Sequence, residues 1–115
     1  MFLIAIQKKY LELIRMGKKV VEGRLFTSKY KQLKIGQIVR FYENDHLENF
    51  LDAQVTSLNP YPTFKKMLET EGLAQCLPGI ENVEEGVFIY HQFPNYQSEE
   101  KLNGALAIGV KPIYD

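Results

Sequence analysis

The chain has 115 residues, 45% hydrophobic and 12% aromatic, which suits one domain over residues 1–115 with its own core and excludes a disordered segment. Its 14 Lys and Arg balance 14 Asp and Glu, and the pI near 6.7 argues against sequence-independent binding of duplex DNA. The opening apolar run MFLIAI is broken by QKKY and Cys76 is alone, so neither a membrane span, a secretory leader, an internal disulfide nor a cysteine-based zinc site is expected, and the chain is expected to be cytoplasmic.

In chain order, the continuous apolar run FLIAI (2–6) suits a strand covered on both faces. Tyr10, Leu13 and Ile14 then recur at helical spacing, and Gly17 stands where a left-handed helix cap is expected. Residues 19–26 are expected to form a second strand. The basic segment SKYKQLK leads into a third, QIVRFYE, which turns through END and His46 into a fourth, FLDAQVTSL. In the fourth strand Leu51, Ala53 and Val55 alternate with polar residues, and NPYP (59–62) is expected to break it. Pro62 suits the first turn of a helix carrying Phe64, Met67 and Leu68 and ending at Gly72. A further helix is expected from Asn82, capped with Glu85, to near Phe93, because the residue before Pro94 is biased away from helix. QSEEKLN is expected to be a loop and GALAIGV a closing strand. About five or six strands and three short helices result, an α+β fold around a small mixed β-barrel.

Charge is unevenly distributed: residues 1–40 hold ten Lys and Arg against only Glu12 and Glu22, and the remainder is acidic. One anion-attracting face would give this pattern, and so would pairing between the two halves. No phosphate-binding glycine loop, nucleophile elbow, HExxH or CxxC is present, so no cofactor or metal is expected. His46 and His91 lack neighbours at metal-ligand spacing, and Cys76, within AQCLP, suits a buried thiol better than a nucleophile.

The segment GKKVVEGRLF (17–26) holds the chemistry. Strand alternation puts Val20, Glu22, Arg24 and Phe26 on one face, and Lys18 or Lys19 lies where either can reach over the strand end. Two descriptions fit: a structural Glu–Arg pair, or a ligand-binding cluster. A carboxylate beside Arg24 and a lysine is held ionised and serves better as a hydrogen-bond acceptor than as a general base. A lysine crowded by Arg24 and partly desolvated is the usual reactive kind, and the guanidinium fork suits a phosphate or a carbonyl-rich base edge.

GKKVVEGR resembles the GxKxxExR signature of the ASCH domain family, within the PUA-like superfamily of small RNA-associated β-barrels. LKIGQIVRFYE, FKKML, IYHQFPNY and GALAIGV resemble further family segments in the same order, with Gln37 where the family usually has Asp. The resemblance implies a barrel with outer helices and a cleft beside the signature strand, with Gly17 as the leading glycine and Lys19, Glu22 and Arg24 as its polar residues, Lys18 beside them. It further implies RNA or a nucleotide-like small molecule as partner, with Tyr30, Tyr42 and Tyr96 as base-stacking candidates and Tyr90 and Phe93 as either core or platform. Some relatives hydrolyse N4-acetylcytidine and others are described as ribonucleases. For such an enzyme Lys19 would be catalytic and Glu81 the downstream acid, but Glu22 occupies the position of the hydrolases' nucleophilic Thr. A small protein–protein adaptor is the third possibility.

Overall fold

The computed structural model describes residues 1–114. Among them, one mixed sheet of five strands, β1 (Phe2–Ile6), β2 (Val21–Leu25), β3 (Ile38–Glu43), β4 (His46–Tyr61) and β5 (Ala105–Pro112), curves into a half-barrel. The spatial order is β1-β3-β4-β5-β2, with β1 and β3 parallel and the remaining neighbours antiparallel. This is the α+β, PUA-like architecture expected from the sequence. The barrel does not close through its backbone: β1 and β2 are the two edges, and each has neighbours on one side only.

Six helices pack around the sheet among the described residues, rather than three: α1 (Lys8–Arg15), α2 (Ser28–Lys31), α3 (Phe64–Glu71), α4 (Leu73–Cys76), α5 (Val83–His91) and α6 (Tyr96–Asn103). The extra ones arise where local pattern is weakest. α6, the expected QSEEKLN loop, has no buried residue, and tertiary contacts hold it instead. Glu100 accepts from the Phe64 backbone N–H at 2.7 Å and contacts His91 Nε2 at 3.0 Å, while Tyr96 stacks on Phe64. α2 and α4 are single turns, too short for a periodic signal.

The break expected at NPYP is also corrected, since β4 continues through Asn59, Pro60 and Tyr61 along β5. Its pairing with β3 ends at Gln54, so beyond that residue β4 is an edge on one side, where a proline is tolerated. Pro62 lies before α3 rather than in its first turn, and Thr63 caps the helix, its side chain accepting from Lys66 N at 3.0 Å. Asn82 caps α5 in the same way, accepting from Glu85 N at 2.9 Å.

The core lies between the concave sheet and α1, α3 and α5, with Ile4, Phe41, Ile108, Leu11, Phe64 and Met67 essentially inaccessible to water. α1 ends in a Schellman motif: Gly17 (φ 76) donates to Ile14 O and Lys18 N to Leu13 O. That tight turn, with Gly17 two residues before Lys19, ends α1 and sets how the chain enters β2.

Gly104, which ends α6 and leads into β5, has φ 71 and ψ −173, a conformation nearly restricted to glycine. A Cβ there would also lie 2.6 Å from the Tyr61 carbonyl oxygen. Gly104→Ala is therefore expected to destabilise the fold by about 2–4 kcal/mol, read as a lower urea midpoint with an unchanged m-value.

Candidate functional site

β2 begins at Val21, two residues later than expected, and this decides where Lys19 points. Inside a strand it would face away from Glu22; preceding the strand, it folds back over the strand end. It is 1% exposed, and its Nζ donates to Val21 O at 2.8 Å, to Cys76 O, and to Glu22 Oε1 at 3.2 Å. All three N–H bonds of the ammonium thus meet protein oxygens. The ammonium also lies 5.5 Å from the centre of the Tyr10 ring.

Glu22 is equally engaged. Oε1 accepts from Lys19 and from the Gly23 N–H at 3.2 Å, and Oε2 accepts from Arg24 Nε at 3.1 Å and Nη2 at 2.8 Å. Burial pushes the carboxyl pKa up, but the charges of Lys19 and Arg24 and their hydrogen bonds outweigh it, and the net shift is downward. Arg24 Nη2 also donates to Ala5 O at 2.7 Å, a side-chain bond from β2 to β1 across the open seam of the barrel. Lys29 spans the same seam, donating to Leu3 O at 3.0 Å. Arg24 Nη1 lies outside these bonds, and with its side chain 18% exposed Arg24 is the most accessible member of the trio.

The trio forms the inner end of a pocket of about 230 Å³ in that seam. Ala5, Ile6 and Gln7 from the end of β1, Tyr10 from α1 and Asn44 from the β3–β4 turn form one side. Leu77, Ile89, Tyr90, Phe93 and Tyr96 form the other. This second wall is rigidly packed, with Phe64 stacked between Tyr90 (4.4 Å, 11°) and Tyr96 (5.6 Å, 8°) and Phe93 tilted against Tyr96 (5.3 Å). Burial raises the pKa of the Tyr96 hydroxyl, and the opposing pull of the Arg24 charge is smaller.

Of the side chains singled out from the sequence, Lys19, Glu22, Arg24 and Tyr96 converge here. Lys18 is exposed on the turn after α1 and Glu81 is exposed before α5, and neither lines the pocket. Tyr30 is buried against Phe2 with its hydroxyl near Arg24 but does not line the pocket, and Tyr42 borders an adjoining shallow hollow that shares Ala5 and Asn44 with it. Tyr90 and Phe93 serve as both core and wall. Tyr10, Gln7 and Asn44 were missed: Tyr10 reads as one more residue of an apolar helix stripe, and the other two lie at an element end and a turn. Cys76 is buried, and burial pushes its thiol up to about 11. Among the described residues no group of three His, Cys, Asp or Glu is placed to hold a metal, and no helix is long and apolar enough to cross a membrane.

A half-barrel of this order, with a buried Lys–Glu–Arg cluster and a pocket at its open seam, defines a small α+β protein of the PUA-like fold. The ASCH domain profile matches residues 4–114, and the chain belongs to the ASCH domain family. The hypothetical protein PH0355 is 40% identical over 97% of this chain and 98% of its own, with a TM-score of 0.88. Protein PF0455 from Pyrococcus furiosus is 35% identical over 99% and 98%, with a TM-score of 0.78. A mutant of an ASCH protein from Zymomonas mobilis shares the fold at 16% identity and a TM-score of 0.63, over 96% of this chain and 69% of its own. No curated protein matches the chain.

Glu22→Gln removes the charge that compensates both buried cations and is expected to cost about 3 kcal/mol of stability at neutral pH. Because the folded-state pKa of Glu22 lies below its ordinary value of 4.5, its contribution is complete above that value and is lost as pH falls through the folded pKa. The stability gap between the natural chain and the variant should therefore narrow below about pH 4.5, measured by denaturant titration across pH.

Proposed function

We propose that the chain binds RNA, or a nucleotide-like small molecule, by admitting one base into the pocket between the aromatic wall and Arg24. The observation that carries this is a pocket with a net positive inner end, two cations against one carboxylate, lined on another side by the aromatic rings of Phe93 and Tyr96. At about 230 Å³ it is smaller than the roughly 300–1,000 Å³ of sites for drug-sized ligands, so it suits a single ring rather than several bases. Base stacking on such aromatic faces is worth about 1–3 kcal/mol per base, and a guanidinium meets a carbonyl-rich edge or a phosphate.

The cluster's bonding favours binding over a covalent reaction. A nucleophilic lysine needs a free lone pair, and Lys19 Nζ faces three oxygens. A general base needs a vacant acceptor, and both Glu22 oxygens are occupied twice. Lys19 and Glu22 then serve to aim Arg24, which meets the ligand. Glu81, outside the pocket, has no part in this function.

The test is fluorescence-anisotropy titration of short single-stranded RNA. Arg24→Lys keeps the charge and loses the fork, and is expected to weaken binding about tenfold. Tyr96→Ala, which removes a stacking face, should weaken it by a similar or larger factor. Affinity unchanged in both variants would overturn the proposal.

A further inference from the structure

Two phenols in the pocket carry hydrogen-bonding capacity that the protein does not use. Tyr90 is 3% exposed, and its hydroxyl is a fully buried side-chain group with no partner among the described residues. Such groups are rare in folded proteins, because a buried donor without an acceptor forfeits its hydration with nothing in return. The Tyr90 ring is fixed by its stack on Phe64. Its hydroxyl sits over Gly23, where a Cβ would come within 2.7 Å of it, and both residues line the pocket. The missing side chain at Gly23 is what makes room for the phenol. Tyr10, 9% exposed, lines the same pocket, and its hydroxyl makes no hydrogen bond to the described residues.

Both hydroxyls act in one electrostatic setting. Burial first, and then the Glu22 charge, raise both pKa values, so each phenol keeps its proton at neutral pH. The four lone-pair sites of Glu22 are taken by Lys19, Gly23 and twice by Arg24, so the carboxylate has nothing left to accept from a ligand. The inner end of the pocket is therefore rich in donors and net positive. A phenol oxygen, conjugated with its ring, accepts less readily than its O–H donates. A ligand amino group placed there meets cations and donors, whereas a carbonyl oxygen meets partners.

We propose that Tyr10 and Tyr90 are the specificity-determining pair of the pocket, donating to a ring carbonyl and so selecting an oxo-bearing base over its amino-bearing counterpart. This rests on the base-binding function proposed above. Two nucleoside pairs isolate the group concerned: uridine against cytidine, and inosine against adenosine. Calorimetric or NMR titration should give the oxo member about a tenfold tighter affinity for the natural chain. In Tyr10→Phe and in Tyr90→Phe that ratio should fall toward one. Tyr90→Phe should keep its thermal midpoint, because it deletes a hydroxyl without a partner and leaves the ring stack in place. A ratio retained in either variant removes that tyrosine from the pair, and a preference for the amino members overturns the inference while leaving base binding intact. If none of the four nucleosides binds, the base-binding function and this inference fail together.

Discussion

Everything at the open seam depends on the Glu22 carboxylate. It is buried and negative, and it draws Lys19 back over the end of β2 and Arg24 across toward β1. A buried charge is tolerated only when it is paired and its lone pairs are filled, and this one accepts four hydrogen bonds. Without it, two cations would face each other in a poorly hydrated crevice. With it, one of the two is fixed entirely within the protein and the other is held at the edge of a cavity.

The same arrangement answers a topological problem. A sheet of order β1-β3-β4-β5-β2 leaves two edges with unpaired backbone groups. Full closure would pair β1 with β2 and fill the space between them. Here side chains bridge the gap: Arg24 reaches the Ala5 carbonyl and Lys29 the Leu3 carbonyl. Two carbonyls of the β1 edge are met in this way while a space is kept between the strands, and the pocket occupies that space. The aromatic wall is held from behind by Phe64, whose backbone N–H is tied to Glu100 on α6. The cavity is thus bounded by a packed stack on one side and a charge network at its inner end.

Much of this was legible in the residues and some was not, for identifiable reasons. The five strands, the cap at Gly17 and the shared face of Glu22 and Arg24 follow from alternation and turn chemistry, which act over a few residues. The start of β2 did not follow, because Lys19 and Val20 look like strand until the α1 cap and the Glu22 charge are considered together. α6 was hidden because a helix without a buried stripe leaves no periodic mark, and Pro60 misled because a strand that is central at one end is an edge at the other. Tyr30 and Tyr42 are stacking groups that the family resemblance suggests, but only the tertiary fold decides which aromatics share a cavity. Tyr10 was concealed by its fit to an ordinary helical core stripe, and Tyr90 fits core and pocket wall alike.

The central claim is that ligand enters the seam and not an outer face of the molecule. Backbone-amide NMR mapping on titration with a short single-stranded RNA tests it most directly. The account predicts the largest shift changes at Ala5, Gly23, Arg24 and Asn44, which surround the pocket on two strands and a turn. Changes confined to the exposed lysines of α1 and α2, with those four amides unmoved, would contradict it.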